Sequence, residues 1–396
     1  MTALLLARAG HQVSLFDGAA EAGGRARSTQ LGGRPVNLGP HALYRGGPAE
    51  RTLRSLGVSW RGWRPRPADT VLWHQGQLVP APVTAGSLLG RHALPWRTRL
   101  QFVRRLLTLE PARLPEVSLG AWLDSIDDAD VRALLATLTR LASYCNAPEH
   151  ASARALVQQL ASALAGVTYL EGGWQSLVDQ LVGQLAGAGV ELRLKAAVAA
   201  IEDQGRSLRL SSGEVVRVQA SALAVGLETA ARLVPTLCAH ASSAVSSRVA
   251  TLDLVLDRLP VPSRRLVLGT REPLYWSVHT PPGAAPVVAH AMWTLAPGEH
   301  GAPRREALER GLVGLEPGWR EAVVASRFLP VLRVIDSIPA VGGDPAPRRV
   351  GERLFVTGEW TTRRLLLDAV FESAAAVATE VTQACGAGSI HTPRAA

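Results

Sequence analysis

Residues 10–28, GHQVSLFDGAAEAGGRARS, form the stretch that decides the fold. Residues 12–16 are a short apolar segment typical of a buried strand, and the acidic residue Asp17 follows it directly. A carboxylate at the end of a parallel strand is placed to accept hydrogen bonds from a ribose diol. Farther on, Gly23-Gly24-Arg25 puts bare backbone beside a guanidinium, a combination that can approach and bind a diphosphate. Taken alone, these residues also fit a glycine-rich surface turn.

The residues before this stretch place it in a larger unit. Residues 3–9 are a Leu/Ala-rich helical run, and Gly10 is its expected C-terminal cap. The order helix, strand, acid, Gly-Gly-Arg resembles the start of FAD-dependent oxidoreductases of the amine oxidase and phytoene desaturase superfamily. The resemblance implies that Asp17 binds the adenosine ribose of FAD. It also implies that the following residues lie along the diphosphate: Gly23, Gly24, Arg25 and Arg27.

The opening of the family's nucleotide-binding unit is not found ahead of the helix. In the family a strand and a GxGxxG loop come first, whereas here the sequence begins at Met1 with the helical run already under way. That loop, together with the helix N-terminus, is the part expected to hold the diphosphate most firmly. The sequence therefore predicts a Rossmann-like domain truncated at its N-terminus, either because the start codon lies upstream or because the protein has decayed.

Composition indicates a folded protein without a nucleic-acid partner. The chain has 396 residues, 47% of them hydrophobic and 19% charged, which is ample for two domains. The net charge of +9 comes from 42 basic residues, of which Lys195 is the single lysine. Because the arginines are spread along the chain without a dense block, we interpret the charge as a compositional bias, and an anionic surface partner stays open.

Cysteine usage and hydropathy bear on the compartment. Cys145, Cys238 and Cys385 lie far apart and form no C-x-x-C pair, which predicts neither a disulfide framework nor a metal site. The N-terminus lacks a basic segment leading into an apolar one, and no apolar run reaches the length of about 20 residues that a bilayer requires. These features predict a cytoplasmic protein.

A Gly-Pro turn follows within residues 35–44, PVNLGPHALY. Gly39 lets a flat ring lie against the backbone, and His41 would then sit at the edge of that ring. In the resembling family this segment passes the isoalloxazine. The resemblance therefore implies that Gly39, Pro40 and His41 line the flavin. The alternative is a core histidine in a Gly-Pro turn.

The chain changes character after residue 66. Residues 70–79 alternate around Gln75-Gly76 as a hairpin, and the pattern is then helical to about residue 166. Residues 96–109 form a basic amphipathic helix that carries an apolar stripe consisting of Trp96, Leu100, Val103 and Leu107. We expect this helix to cover a core; the alternative is a possible peripheral contact with a membrane surface.

A helix-strand unit comes next, at residues 169–202. Gly172-Gly173 opens a helix with apolar residues at helical spacing, and strands follow at 190–194 and 197–201. The resembling family has the same run, and there the backbone of the valine matching Val198 meets the adenine. The value of this unit lies in its order after the first motif, because its composition is common in α/β proteins.

The residues from 249 to 315 predict a second region built on an antiparallel sheet. Strands at 251–256, 265–268, 274–278 and 286–293 precede one charged helix at 304–315. Aromatic residues lie on these strands, namely Trp276, His279, His290 and Trp293. We expect them to pack as a core, and a pocket wall is the alternative.

The chain closes with a second polar motif at the end of a strand. Apolar residues 353–357 lead into Gly358-Glu359, and an Ala-rich helix follows from about residue 367. In the family the Gly-acid pair, usually Gly-Asp, binds the ribityl-phosphate part of FAD. The helix N-terminus, here Asp368-Ala369, faces the flavin edge where reduction places negative charge.

Together these motifs predict an α/β fold: a Rossmann-like FAD/NAD(P)-binding domain, truncated at its N-terminus, with an α+β substrate domain. The FAD domain is discontinuous, over residues 1–66, 166–235 and 346–386. Residues 67–165 and 236–345 form the substrate domain, and residues 387–396 are a frayed tail. The cofactor implied by the resemblance is FAD, and the substrate is a small, apolar molecule.

The reaction implied is hydride transfer from a C–C or C–N bond to flavin. Many amine oxidases of the superfamily place a lysine near the flavin, but Lys195 lies on the predicted adenine side. This favours a desaturase-like over an amine oxidase-like reaction, and no residue is assigned as catalytic. The alternatives are a truncated non-catalytic remnant or partner-binding protein, and an NAD(P)-only dehydrogenase, which would leave Gly358-Glu359 without a role.

Overall fold

The computed structural model describes residues 1–90 and 93–386, so the predicted tail at 387–396 lies outside the described residues. The helices are α1 (Thr2–Arg8), α2 (Pro48–Ser55), α3 (Ala85–Leu89), α4 (Trp96–Leu107), α5 (Leu119–Asp124), α6 (Ala129–Ser143), α7 (Ala153–Ala163), α8 (Gln175–Gly187), α9 (Leu227–Leu233), α10 (Cys238–Ser243), α11 (Arg304–Leu315) and α12 (Leu366–Cys385). Within the described residues, no helix combines the length and apolarity needed to cross a membrane.

The strands form several sheets. They are β1 (Ser14–Phe16), β2 (Ser28–Leu31), β3 (Arg34–Asn37), β4 (Leu43–Tyr44), β5 (Gly62–Trp63), β6 (Thr70–His74), β7 (Gln77–Pro80), β8 (Val167–Leu170), β9 (Glu191–Arg193), β10 (Val198–Glu202), β11 (Ser207–Leu210), β12 (Val215–Arg217), β13 (Ser221–Leu223), β14 (Ser247–Leu256), β15 (Leu266–Gly269), β16 (Leu274–Val278), β17 (Val287–Leu295), β18 (Val323–Ile335) and β19 (Leu354–Val356).

The predicted entry into the fold is observed. Helix α1 ends at Arg8, and Gly10 follows with a positive φ of 87°, donating to the carbonyl of Ala7. This is the position at which a helix end favours glycine, because a Cβ would crowd the left-handed backbone. Strand β1 then begins at Ser14 and pairs in parallel with β9.

The segments predicted as the FAD domain contain two short parallel strand pairs, β1–β9 and β13–β19. They lie in separate two-stranded sheets within the described residues. Strand β19 is bounded on its other edge by the segment before it, because Val356 donates to the carbonyl of Arg348 at 2.7 Å. Helices α1 and α12 pack over this region through a small apolar core that includes Leu6, Phe355 and Val377.

The other half is built on a seven-stranded mixed sheet in the order β18-β14-β17-β16-β15-β6-β7. Its parallel β15–β6 pair joins residues 266–269 to residues 70–73, so the two segments predicted as a substrate domain share one sheet. The boundaries of the predicted domains stay a prediction. The 13-residue strand β18 and the β2–β3 hairpin were not predicted as such.

Both faces of this sheet are covered, which explains its apolar central strands. Helices α4 to α7 cover one face, where Phe102, Leu135 and Leu156 pack with sheet residues such as Tyr275 and Met292. Helix α11 covers the other face through Leu308, Leu312 and Leu315. The aromatic residue Trp276 is fully buried in this second core, as the sequence led us to expect.

Candidate functional site

Asp17 lies at the carboxyl end of β1, where the sequence predicted a ribose-binding acid. Its Oδ1 accepts the N–H of Ala19 at 2.8 Å, and its carbonyl accepts the N–H of Ala196 at 2.8 Å. Gly18 packs so closely on Ala197 that a Cβ would lie 3.0 Å from the alanine Cβ. Val198, the first residue of β10, follows directly. The structure therefore brings the predicted ribose and adenine residues together.

The Gly-Gly-Arg loop meets the C-terminal motif. Arg25 Nη2 lies 3.1 Å from both carboxylate oxygens of Glu359, a residue 334 positions away in sequence. The Glu359 side chain is only 4% exposed, whereas that of Arg25 is 49% exposed. Arg25 Nη1 also donates to the carbonyl of Val334 at 3.3 Å. The Arg25 guanidinium, which the sequence assigned to a diphosphate, is thus paired with Glu359 of the Gly358-Glu359 turn.

Asp336 adds a second carboxylate to this junction. Its backbone N–H donates to Glu359 Oε1 at 2.8 Å, and its Oδ2 lies 3.5 Å from Arg25 Nη2. Burial and the adjacent Glu359 charge raise the pKa of Asp336 above its ordinary value. Sequence reasoning missed this residue, although an acid directly after the alternating strand β18 is the same signal that identified Asp17.

The remaining loop residues surround this junction. Gly23 and Gly24 form the turn before Arg25, with Gly23 packed on Val178 of α8. Arg27 pairs with Glu21 at 3.4 Å, and its Nε is buried without a hydrogen-bond partner.

His41 lies beside the loop. Its Nε2 is 3.1 Å from the carbonyl of Arg25, and its Nδ1 is 3.1 Å from the carbonyl of Gly39. Burial lowers the pKa of His41 below its ordinary value. A neutral imidazole carries one N–H, so His41 can donate to only one of these carbonyls at a time, and it lies between the Gly39-Pro40 turn and the Arg25 loop.

A cluster of buried rings extends from His41 into the sheet. Trp174 contacts His41 edge-on, with ring centroids 5.1 Å apart. Farther in, His279 stacks on Tyr169 at 4.0 Å and meets His290 at 4.5 Å. Burial, reinforced by the charges of His290 and His41, lowers the pKa of His279 well below its ordinary value. We call Tyr169, Tyr275, His279 and His290 the ring cluster. The sequence placed its histidines on strands but did not assign them to a site.

Asp253 connects the ring cluster to the Gly39 turn. It is fully buried on β14 and accepts hydrogen bonds from His290 Nδ1 at 2.8 Å and from Arg327 Nη2 at 2.6 Å. Arg327 also donates to the carbonyl of Asn37 at 2.7 Å. Burial alone would raise the pKa of Asp253, but His290 and Arg327 hold it below the ordinary value. A lone acid within the apolar run TLDLVL was the available sequence signal.

The Gly358-Glu359 turn is tied to α12 through Ser373. The Ser373 Oγ accepts the N–H of Gly358 at 3.1 Å and contacts Thr361 Oγ1 at 2.6 Å. Asp368 directs its carboxylate to the N–H of Ala49 at 2.9 Å, so it serves the start of α2. Ala369 is fully buried. The side chains of Asp368 and Ala369 are therefore engaged within the protein. The predicted contact of this pair with the flavin edge then concerns only the backbone N–H groups of the first turn of α12.

The junction fits a polar ligand such as a dinucleotide. Several buried polar atoms around it have no hydrogen-bond partner within the described residues: Arg27 Nε, Trp174 Nε1, Asp336 Oδ2 and Trp360 Nε1. Similar atoms occur elsewhere in the described residues, for example in Arg265 and Trp319, so these four mark groups that a ligand could satisfy without identifying one. The N–H groups would suit phosphate or carbonyl oxygens, and the carboxylates would suit ribityl or ribose hydroxyls.

The fold is a mixed α/β fold in which polar side chains from distant segments of the chain meet. The sequence profile of a family described as flavin containing amine oxidoreductase matches residues 1–382. The chain belongs to this family, and it is therefore an oxidoreductase for which a flavin cofactor is indicated.

Solved structures show the same fold across nearly the whole chain. An oxidoreductase from Methanosarcina mazei is 17% identical with a TM-score of 0.72, covering 95% of this chain and 96% of that one. Putrescine oxidase bound to putrescine is 16% identical with a TM-score of 0.73, covering 96% of each chain. A putative protoporphyrinogen oxidase from Exiguobacterium is 15% identical with a TM-score of 0.67 at the same coverage. A comparison with curated proteins gives no match.

Proposed function

We propose that this chain binds FAD along the line from Asp17 to Glu359. It then removes a hydride equivalent from a C–C or C–N bond of an apolar substrate, and a desaturase-like reaction is favoured over amine oxidation. The observation that carries the proposal is the Arg25–Glu359 contact, which joins two motifs 334 residues apart. Through this contact the Gly-Gly-Arg loop, which follows β1 and Asp17 in the chain, meets the Gly-acid turn after β19, and this proximity supports one ligand that extends between them.

The chain's own residues would divide the binding work. Asp17 is suited to the adenosine ribose and Glu359, with Asp336, to the hydroxyls of the ribityl chain. Arg27 Nε and Trp174 Nε1 are free to donate to phosphate or ring oxygens. When bound, FAD supplies the acceptor for a hydride equivalent. Arg25 supports this arrangement by fixing and neutralising the buried Glu359.

The substrate side favours an apolar molecule over an amine. The ring cluster is buried, and burial keeps His279 neutral by lowering its pKa. Lys195, the single lysine, is exposed beside the Asp17 end, where its N–H donates to the carbonyl of Ala19 at 2.9 Å. No lysine amine is therefore available beside the rings, and the aromatic faces of the cluster would suit an apolar molecule.

Flavin content tests the cofactor. We expect the purified protein to show a flavin absorbance spectrum, with FAD as the nucleotide released on denaturation. The double variant Arg25→Gln/Glu359→Gln is expected to lose most of its FAD, since both ends of the junction change. Arg206→Gln/Glu352→Gln removes an exposed ion pair of 2.7 Å and serves as the matched control that retains FAD. A protein that takes up no flavin on reconstitution would contradict the proposal and favour a non-catalytic, partner-binding protein.

The substrate class is tested separately by anaerobic bleaching of the bound flavin. We expect an unsaturated hydrocarbon of the polyene type to reduce it. Bleaching by putrescine and related amines, but not by hydrocarbons, would instead show amine oxidation and overturn the desaturase-like reaction while leaving FAD binding intact.

A further inference from the structure

Helix α4 turns its apolar stripe outward. Trp96, Leu100 and Leu107 are 61%, 58% and 82% exposed. At 100° per residue these three lie within about 40° of one another on the helix surface. The sequence led us to expect this stripe to cover a core, and the structure corrects that expectation. Only Val103, the fourth member, packs against the core.

Contacts on the opposite side fix this orientation. Phe102 is 1% exposed in the core, and Thr98 Oγ1 donates to Asp128 Oδ2 at 2.8 Å. The buried guanidinium of Arg99 donates to the carbonyls of Ser87 and Gly90 at 2.9 and 3.0 Å. Rotating the stripe inward would expose Phe102 and break the hydrogen bonds of Thr98 and Arg99 to Asp128, Ser87 and Gly90.

The neighbouring helix carries a further exposed apolar residue. Leu89, on α3, is 88% exposed, and α3 is linked to α4 through the Arg99–Ser87 hydrogen bond. We define the α4 face as Trp96, Leu100 and Leu107. Exposed apolar side chains grouped on one face of a protein commonly mark an interaction site.

Positive charge accompanies the α4 face. Arg97, Arg104 and Arg105 are exposed on the same helix, and its sequence, WRTRLQFVRRLL, contains no acidic residue. Arg97 and Arg104 lie about 60–80° from the centre of the stripe, along one side of it, whereas Arg105 lies about 160° away on the far side of the helix. The surface therefore combines a narrow apolar stripe that includes a tryptophan with an uncompensated basic flank.

We propose that the α4 face binds the surface of an anionic lipid bilayer. The apolar stripe would enter the boundary between headgroups and acyl chains, where tryptophan is favoured, and the arginines would meet lipid phosphates. A second copy of the chain is the less suitable occupant, because a symmetric contact would bring the same arginines towards each other. The proposal does not depend on the flavin chemistry.

Sedimentation with lipid vesicles tests it. We expect the wild-type protein to bind vesicles that contain phosphatidylglycerol, more weakly at high salt, and not to bind vesicles of phosphatidylcholine alone. Trp96→Ser/Leu100→Ser/Leu107→Ser should weaken binding by about tenfold or more, since it removes the inserted apolar area. Arg97→Gln/Arg104→Gln should weaken binding by about tenfold or more and reduce its salt dependence.

Matched controls separate the α4 face from general properties. Val313→Ser/Val324→Ser/Val331→Ser changes three other exposed apolar residues, which are 55%, 55% and 49% exposed. Arg61→Gln/Arg64→Gln removes the same charge at other exposed positions. Both controls should bind vesicles as the wild type does.

Three outcomes would overturn the proposal. The first is no binding of the wild-type protein to anionic vesicles, and the second is unchanged binding by the serine variant of the α4 face. The third is a dimer in sedimentation velocity that this variant abolishes, which would identify a second copy as the occupant. Circular dichroism and thermal melting check that the variants are folded.

Discussion

Glu316 illustrates a residue whose charge is not compensated. It follows α11 and is fully buried, with Oε2 accepting the N–H of Val261 at 3.0 Å and Oε1 without a hydrogen-bond partner. Burial raises the pKa of Glu316 from 4.5 to about 8. The folded protein therefore holds a proton here that the unfolded chain releases in the range between these two values.

We expect the free energy of unfolding to fall between pH 4.5 and pH 8 because of this group. Each pH unit in that window costs up to about 1 kcal/mol, since the folded state must keep or lose a proton that the unfolded state has already lost. In Glu316→Gln this dependence should be absent, so the variant gains stability relative to wild type as the pH rises. Urea unfolding at a series of pH values measures the effect.

Glu309, on the same helix, provides the control. Its hydrogen bond with Arg305 lowers its pKa, so its contribution is already complete above the ordinary value of 4.5 and is lost only as the pH falls. Glu309→Gln should therefore differ from wild type by a constant amount between pH 4.5 and pH 8. Parallel pH profiles for wild type and Glu316→Gln would contradict the prediction.

At the scale of elements, the start of α8 shows how a strand, a hairpin and a helix are fitted together. Gly172 and Gly173 both have positive φ, of 78° and 73°. A Cβ on Gly173 would clash with Ser28 Oγ and lie 2.9 Å from Asn37 Oδ1, whereas one on Gly172 would meet open space. Asn37 Oδ1 accepts the N–H of Trp174 at 2.9 Å, so the crowded glycine lies where α8 joins the β2–β3 hairpin.

The two glycines form a matched pair for a stability measurement. Gly172→Ala and Gly173→Ala carry the same backbone penalty for a side chain at positive φ. Gly173→Ala should additionally displace Ser28 and Asn37, and we expect it to be less stable than Gly172→Ala by about 1–3 kcal/mol. Chemical unfolding of both variants measures the difference, and equal stabilities would show that the close approach is unimportant.

Helix α4 gives the complementary lesson at this scale. Its periodicity predicted the element and its apolar stripe, but two arcs of the helix carry apolar residues and the sequence does not say which one packs. The hydrogen-bond partners Asp128, Ser87 and Gly90 decide this, because they hold Thr98 and Arg99 on the inner side. Such contacts belong to tertiary structure.

At the scale of the whole molecule, Asp253 joins the two halves. It bonds His290 and Arg327 within the seven-stranded sheet, and Arg327 in turn bonds the carbonyl of Asn37 beside the Gly39 turn. The network therefore links the seven-stranded sheet to the N-terminal segment that carries the Arg25 loop. A buried charge of this kind is tolerated because several partners compensate it.

We expect Asp253→Asn to destabilise the protein by about 3–5 kcal/mol, since it leaves the Arg327 charge without its buried partner. The difference from wild type should shrink as the pH falls below the ordinary carboxyl value of 3.8, because the lowered pKa of Asp253 confers stability only above that range. Asp257→Asn, at an exposed ion pair with Arg258 just after β14, is the control and should change stability by less than about 1 kcal/mol. Urea unfolding measures the free energy of unfolding of both variants. A similarly small effect for Asp253→Asn and Asp257→Asn would show that the Asp253 network does not hold the two halves together.

The sequence by itself determined most of the elements and their order and indicated the family, although it missed the strand β18 and the β2–β3 hairpin. Local signals were sufficient where the chemistry is local: the Gly10 helix end, the acid after β1, the hairpin at Gln75-Gly76 and the Gly-acid pair after β19. It also placed Lys195 on the Asp17 side, because Lys195 lies between the strands 190–194 and 197–201, which were predicted to lie on the adenine side.

Only the tertiary structure decided which polar groups meet. Residues distant in sequence meet in the pairing of Arg25 with Glu359, in the addition of Asp336 and in the Asp253 network. The outward face of α4 likewise depends on how the helix packs. Their partners are chosen by the packing of sheets and helices, which propensity and periodicity do not encode locally. Asp253 and Asp336 left only a weak trace in the sequence, an acid within or after an apolar strand, because the contacts that give them meaning form when the chain folds.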